Sequence, residues 1–538
     1  MPKGQTFEIA FNIADISIPG ASINSINTQI TSYGHKTTVE FFVSSQANSD
    51  DKILEKLQAA HILEAKLSLV NCYYSEKERQ QSKIQLQGII CDKKILKQNS
   101  SIEVIDNPIY SRCYSITFFD RAYALWSQHK PAKLYTNSSY EQIISAQYFD
   151  GLQCNSELDA FFKTKKMITI NPYVSFYHYL SSTIDQYSGT LLYNSQQDCY
   201  LITANKTAFD RKKNNHYYKS LIQQATVKLP NTQWHNLECL NSYAYSIDSQ
   251  QEISNDAHVT GIYQSHLTCT PIQQDFDNYI QNITAYFQNQ QHQQDNRLTL
   301  EFDDYPNIDL LPGALHHLND YDWSQNDSNT KDQQRVTQLS LKLCALAQYS
   351  QIDYQTNQAQ FLTELKLDLE PITNPAHYLP FKKQQFLPVE VEGLIISEAR
   401  NSDDLSFDLE QDKNNQQIYY KISIPLWQNQ QIQTPVAPHS LTGHLFFPLY
   451  KDQRVNVKLF QENAEIKHQL DWRQALASSN DQQGNGLKMG LNESTAAKLN
   501  QYYNGDVATL NLSQNNGDTS QVVSMTKGKI NFSLCHKG

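Results

Sequence analysis

A chain of 538 residues exceeds what one hydrophobic core serves, so several folding units are expected. Its formal charge of −11, from 44 Lys and Arg against 55 Asp and Glu, repels phosphate backbones and anionic membranes on average, which argues against nucleic acid as a partner. No uninterrupted apolar run reaches the ~18 residues of a membrane span, and the start Met1-Pro2-Lys3-Gly4-Gln5-Thr6 lacks a signal-peptide core.

These features lead to the expectation of a cytoplasmic protein, and the nine cysteines fit it. They lie far apart at 72, 91, 113, 154, 199, 239, 269, 344 and 535, form no C-x-x-C pair and are odd in number, which reads as buried, reduced thiols. Mean hydropathy is −0.58, and Gln and Asn stand where surfaces usually carry Lys and Glu. Tyr (32) and Phe (22) are abundant and many alternate with polar residues, as in Thr37-Thr38-Val39-Glu40-Phe41-Phe42-Val43. Alternation of that kind predicts half-buried strands, and the expected fold class is a β-rich α+β, multidomain protein.

From about residue 6 to 130 the sequence predicts a mixed sheet with one helix over Asp51 to Leu63, where Ile53, Leu54, Leu57, Ala60 and Leu63 share a face. Strands are expected at Lys66 to Val70, Lys83 to Ile90 and Tyr114 to Phe119. Asn137 or Ser138 can cap a helix from Tyr140 to Phe149 that ends at Gly151, and a second helix covers Val174 to Tyr187 before Gly189. Thr190 to Tyr193 and Cys199 to Thr203 then read as a hairpin.

Beyond a polar stretch at about 204 to 260, an amphipathic helix is expected over Phe276 to Phe287 and a strand over Leu298 to Phe302. Val336 to Ala347 fits either a long strand or a helix. Pro371, Pro375 and Pro380 mark a boundary. Five short strands follow at Val389 to Ile396, Leu405 to Leu409, Tyr419 to Ile424, Gly443 to Phe447 and Val455 to Phe460, a spacing that suggests a small OB-type barrel. The remainder from Arg473 is Gly- and Asn-punctuated and ends in an alternating stretch at Gln521 to Leu534. It is too small for a core of its own, so its last strand is expected to pair with a partner chain.

Chemistry-bearing patterns are sparse. His316-His317 with Asp320 and Asp322 gathers four potential ligands without an H-E-x-x-H or C-x-x-C frame, which reads as a solvated loop. Gly484-Asn485-Gly486-Leu487-Lys488-Met489-Gly490 misplaces its third Gly for a dinucleotide fingerprint, and a flexible turn is expected there. Asp303-Asp304 and Asp403-Asp404 are adjacent pairs that would point to opposite faces of a strand, unlike glycosidase carboxylates. The aromatic stripe Phe176, Tyr177, Tyr179 and Leu180 falls at helical spacing and reads as core. In the barrel, Glu390, Glu392, Glu398, Asp403, Asp404, Asp408 and Glu410 precede any basic cluster, which favours a scaffold over a nucleic-acid surface. No G-x-S-x-G elbow or nucleophilic Cys context appears. No catalytic, cofactor-binding or metal-ligating residue is assigned, no cofactor is expected, and the chain reads as a non-enzyme.

Two passages carry a resemblance. Ile168-Thr169-Ile170-Asn171-Pro172-Tyr173-Val174-Ser175-Phe176-Tyr177-His178-Tyr179-Leu180, continuing through Ile184-Asp185-Gln186-Tyr187-Ser188-Gly189-Thr190-Leu191-Leu192-Tyr193, resembles the helix-then-strand segment of phage baseplate hubs and the VgrG proteins of secretion systems. Gly443-His444-Leu445-Phe446-Phe447-Pro448-Leu449-Tyr450-Lys451-Asp452-Gln453-Arg454-Val455-Asn456-Val457-Lys458-Leu459-Phe460 is similar to the end of the OB domain in the same family, with Tyr450-Lys451-Asp452-Gln453 in place of its usual Gly-Asp turn.

The resemblance implies a first tube-like hub domain at 1–133, a helix and hairpin subdomain at 134–230, a second tube-like domain at 231–380, an OB-fold-like barrel at 385–472 and a stub of spike or needle at 473–538. It implies a structural hub or spike subunit of a contractile injection apparatus, phage-tail-like or type VI secretion. In that reading a homotrimer caps the inner tube, contacts baseplate proteins, seats a tip protein or effector, and meets a target membrane only on injection. The competing reading is a multidomain β-rich protein that recognises a glycan or a host protein.

Overall fold

The computed structural model describes residues 4–45, 51–59, 61–101, 109–149, 151–216, 222–229, 235–241, 250–253, 263–269, 297–317, 333–346, 356–374, 376–380, 388–396, 410–411, 418–435, 449, 451–470, 484–490, 493–504 and 506–536. The chain divides into two compact units. The first holds Met1–Pro131, Ser139–Lys163 and Tyr173–Gln385; the second holds Ala132–Ser138, Thr164–Pro172 and Phe386–Gly538.

In chain order the strands of the first 119 residues are β1 (Gln5–Ile13), β2 (Ile16–Pro19), β3 (Ile23–Thr31), β4 (Gly34–Ser45), β5 (Glu64–Asn71), β6 (Ile84–Ser101) and β7 (Ile109–Phe119), with helices α1 (Lys52–Gln58) and α2 (Glu76–Gln81). Then come α3 (Arg121–Trp126), β8 (Leu134–Ser138), α4 (Tyr140–Ser145), β9 (Gln153–Ser156), α5 (Asp159–Phe162), β10 (Lys165–Thr169), α6 (Phe176–Gln186), β11 (Thr190–Asn194) and β12 (Cys199–Thr203). The first unit is completed by β13 (Arg211–His216), β14 (Ile222–Lys228), β15 (His235–Asn241), β16 (Gln250–Ile253), β17 (Tyr263–Cys269), β18 (Arg297–Phe302), β19 (Ala314–His317), β20 (Gln334–Ala345) and β21 (Gln358–Pro371).

Eight of these strands close on themselves in the order β1-β5-β6-β7-β4-β3-β20-β21, because β20 and β21 pair with each other as well as with their outer neighbours. Alternation decides what faces inward: Phe7, Ile9, Phe11 and Ile13 of β1, Ala65, Leu67 and Leu69 of β5, and Tyr114, Ile116 and Phe118 of β7 are all buried in one core. Closure also removes the open edges that β-rich chains must otherwise protect.

The β20–β21 hairpin serves two sets of strands. Its Gln338–Cys344 portion pairs with β3 and its Gln358–Phe361 portion with β1, whereas Leu365–Leu369 pairs with β18, which in turn carries β14. β19 joins β20 at Arg335 and pairs with β13. Val336–Ala347, open between strand and helix in the sequence, is therefore strand over Gln334–Ala345, with Leu339, Leu341 and Leu343 alternating inward.

Helices are shorter than the sequence pattern suggests. The helix expected to reach Leu63 ends at Gln58, because the Leu63 carbonyl is taken up by the Ile90 amide at the end of the β5–β6 ladder and Ala59 is already extended. The next helix is capped by Ser139 rather than Asn137 or Ser138, since Ser138 is paired with Lys165 in the β8–β10 ladder. Tyr140–Ser145 is helical and the chain turns at once, well before Gly151. The helix expected over Val174 to Tyr187 is α6, capped by the Ser175 hydroxyl, with Phe176, Tyr177, Tyr179 and Leu180 buried as core. β11 and β12 form the expected hairpin, with β9 parallel to β12. Phe276 to Phe287 lies outside the described residues.

The second unit contains β22 (Val389–Ile396), β23 (Glu410–Gln411), β24 (Ile418–Ile424), β25 (Gln430–Pro435), β26 (Arg454–Leu459) and β27 (Ala464–Gln469), paired in the order β23-β24-β22-β26-β27 with β25 on β24. Val391, Ile395, Ile422, Ile424, Val455 and Val457 form its core, together with Leu134 and Met167 of the two-stranded β8–β10 ladder. Lys165 Nζ reaches Glu462 Oε2 at 2.9 Å and the Thr169 amide donates to the Gln461 carbonyl at 2.8 Å, so this early strand pair is built into the later unit. Asp452 sits at φ 61°, in the left-handed region that Asp tolerates, and its amide donates to the Ile395 carbonyl at 2.8 Å. The strands expected at Leu405 to Leu409 and Gly443 to Phe447 lie outside the described residues.

Candidate assembly surface

The C-terminal segment is where sequence and structure differ most. Gly484–Gly490, expected as a turn, is strand β28 (Gly484–Gly490), followed by β29 (Ala496–Asn504), β30 (Val507–Asn516), β31 (Thr519–Thr526) and β32 (Lys529–His536). The reason is pairing: Gly484–Gly490 runs in unbroken antiparallel register with Tyr502–Ala496, which satisfies the backbone whatever the glycines' intrinsic preference. The five strands form a simple meander in chain order.

Register fixes which side chains share a face, because residues directly opposite in a ladder point the same way. One row runs across all five strands as Leu487, Leu499, Leu512, Val523 and Phe532. A second row places Leu510, Met525 and Ile530 side by side, and a third brings Met489 and Ala497 to one end and Leu534 to the other. The opposite face carries Gly486, Asn500, Asn511, Ser524 and Asn531 in the corresponding row, with Asn511 Nδ2 donating to the Tyr502 hydroxyl at 3.0 Å.

The apolar face is uncovered. Phe532 is 80% exposed, Leu534 72%, Ile530 60% and Leu512 52%, and every described side chain of β32 is exposed. A two-faced sheet, apolar on one side and amide-rich on the other, normally packs its apolar side on something, and contiguous exposed apolar area of this kind marks an interaction surface. β32 also has a strand neighbour on one side only among the described residues, which leaves its outer backbone groups open to pairing. The alternation of β31 and β32 was legible in the sequence. Leu487, Met489, Leu499, Leu510 and Leu512 repeat the same two-residue spacing, a signal obscured by the Gly and Asn around them.

Elsewhere the described residues gather no reaction centre. His316 is buried in β19, where desolvation holds its imidazole down to about 3, while Asp320 and Asp322 lie outside the described residues. No group of three or more His, Cys, Asp or Glu side chains is arranged to hold a metal ion among the described residues. Asp303 and Asp304 sit in a bend just past β18 rather than on a strand, and Asp403-Asp404 lies outside the described residues. Of the described cysteines only Cys113 and Cys154 are buried. Cys91 and Cys535 are exposed because they occupy outward positions on β6 and the edge strand β32, a correction to the expectation of buried thiols throughout.

The largest displacements of titratable groups are caused first by desolvation. Asp120 ends β7 and caps α3: its Oδ1 accepts from the Tyr123 amide at 2.9 Å and the Tyr200 hydroxyl at 2.7 Å, its Oδ2 from the His35 amide at 3.1 Å. Desolvation nevertheless outweighs these donors and raises its carboxyl to about 6, and the same cause lowers the His35 imidazole to about 4. Asp51 caps α1 and also accepts from Arg112 Nη1 at 2.8 Å and Tyr114 Oη at 2.6 Å, which ties that helix to β7. One cavity of about 30 Å³, lined by Lys206, Arg335, Glu370 and Tyr378, has room for about one water molecule, far from the hundreds of Å³ a ligand pocket needs.

No family model matches the chain, and no curated protein sequence matches it. Solved structures do. A chain of the half-lidded form of a Francisella PdpA-VgrG complex superposes with a TM-score of 0.75 at 14% identity, over 99% of this chain and 89% of that one. A chain of the lidless PdpA-VgrG complex gives 0.73 at 14% identity, over 99% of both. The lidded Francisella complex gives 0.72 at 13% identity, over 99% of this chain and 80% of that one. At such identity the likeness establishes fold alone: this β-rich, multidomain chain is folded as a chain of the PdpA-VgrG complexes is.

Proposed function

We propose that this protein is a structural hub subunit of a contractile injection apparatus, acting as a homotrimer and without enzymatic activity of its own. The observation that carries the reading is the uncovered apolar face of the β28–β32 sheet. Three copies bringing this face to a common axis would bury Phe532, Leu512 and their row neighbours and leave the amide-rich face to solvent, a closed arrangement in which each chain contributes the same surface. In this reading the eight-stranded ring and the β13, β14, β18 and β19 strands that share its β20–β21 hairpin are the two tube-like domains, and the sheet of β22 to β27 is the OB-type barrel.

The whole-chain likeness to the PdpA-VgrG structures supports the assignment. Those neighbours are complexes with VgrG, and a VgrG-type spike component is accordingly the partner we assign to the end of the trimer, with an inner tube and baseplate proteins at its base. The site of action is the cytoplasm, with exposure to a target membrane only on injection.

Electron microscopy of the purified protein tests the proposal. A threefold ring with a short axial projection is expected. Solitary, compact particles at high concentration, with no tendency to join a tube or tip component, would overturn it.

A further inference from the structure

After β21 the chain leaves the sheet and packs against Lys206 and Arg297. The last ladder pair is Gln334 with Pro371, and the Ile372 amide adds one more bond to the Gln333 carbonyl at 2.9 Å. Asn374 then makes a local turn, its Oδ1 accepting from the Ala376 amide at 2.8 Å, and Ala376 is fully buried. From here the segment is held by side chains rather than by strand pairing. Lys206 Nζ donates to the Ala376 carbonyl at 2.7 Å and to Glu370 Oε1 at 2.9 Å. The Tyr378 ring receives two cations, Lys206 Nζ 5.8 Å and Arg297 Cζ 4.5 Å from its centroid.

Beneath this strap lies a buried charge cluster. Arg335 grips Asp210 with two bonds of 2.7 and 2.8 Å and Glu370 with one of 3.1 Å, and Arg335, Glu370 and Lys206 line the small cavity together with Ala376, His377 and Tyr378 of the strap and residues of neighbouring strands and loops. The strap thus forms part of the wall of that cavity, and the Lys206 ammonium and the Tyr378 hydroxyl both tie it to Glu370.

We infer that this segment is a separable lid: it opens as a unit while the sheet stays closed, it exposes the Lys206, Glu370, Arg335 and Asp210 cluster to water when it does, and Lys206 is its catch. Glu370 keeps Arg335 when the lysine is lost, so removing the catch does not unpair the cluster. The β20–β21 ladder holds through its own backbone bonds and does not depend on Lys206 at all.

Hydrogen–deuterium exchange on the full chain tests this. In Lys206→Met the amides after β21, through Tyr378, are expected to exchange about tenfold faster or more, with β20 and β21 unchanged. Tyr378→Leu, which keeps apolar volume and loses the ring, is expected to give a smaller increase in the same peptide only. In the unmutated protein the same amides are expected to exchange at a rate that mild urea does not alter, because a local opening exposes little surface, whereas β20 and β21 respond to urea. Strap and strands loosening together in the variants, or strap exchange that responds to urea as the strands do, would show the segment to be an integral part of the sheet and end the inference. Unchanged exchange in both variants would equally refute Lys206 as the catch.

Discussion

Replacing Phe532 by Ser tests the apolar face most directly. Phe532 stands at the end of the row Leu487, Leu499, Leu512, Val523, Phe532 and is 80% exposed in the single chain. Fully burying such a side chain is worth about 1.5–3 kcal/mol, so a face that covers it gains roughly 2 kcal/mol per copy and roughly 6 kcal/mol per trimer. That corresponds to a change of about 10⁴ in the trimer association constant. Sedimentation equilibrium over a wide dilution series reads it: the unmutated protein should hold a mass of three times 61.9 kDa to low concentration, and Phe532→Ser should dissociate at far higher concentration. Asn531→Ser supplies the control, because Asn531 is the chain neighbour of Phe532 on the opposite, amide-rich face and should leave the mass unchanged. An unmutated protein that stays monomeric throughout, or equal loss from both substitutions, would refute the reasoning.

Three further outcomes are expected. The Asp120 carboxyl is raised to about 6, so the folded state binds its proton more tightly than the unfolded state does; its contribution to stability should improve as pH falls from 7 through 6 toward 4, by up to roughly 3 kcal/mol, and urea midpoints of the unmutated protein relative to Asp120→Asn should show that trend. Asp51→Ala removes the α1 cap and leaves Arg112, 3% exposed, without its carboxylate, for a loss of about 3–5 kcal/mol that Asp51→Ala with Arg112→Met should partly restore in chemical denaturation. Gly88→Ala would bring a Cβ to 2.0 Å from the Phe119 carbonyl oxygen, a clash with backbone that no rotamer relieves, so the β6–β7 ladder should loosen first in hydrogen exchange and thermal stability should drop.

Much of the local structure was legible because burial imposes a period on the sequence. Alternation over Lys66 to Val70, Tyr114 to Phe119 and Val389–Ile396, the aromatic stripe of α6, and the hairpin at Thr190 to Thr203 were readable residue by residue. Departures arose where pairing overrode local preference, as where Leu63 was drawn into the β5–β6 ladder and the glycines of Gly484–Gly490 became strand. β25 and β27 were missed because Gln430–Pro435 and Ala464–Gln469 carry few apolar residues, so their alternation is weak.

By itself the sequence determined a β-rich multidomain chain, the positions of several strands in the first unit and the absence of a recognisable reaction motif, since each follows from side-chain period and residue type. Tertiary structure alone decided that β20 and β21 close an eight-stranded ring while serving a second set of strands, that residues 132–138 and 164–172 complete a core begun at residue 389, and that the C-terminal meander presents its apolar row uncovered. Each of these depends on which strand meets which and in what register, and register joins residues hundreds of positions apart that leave no joint mark in the order of the chain.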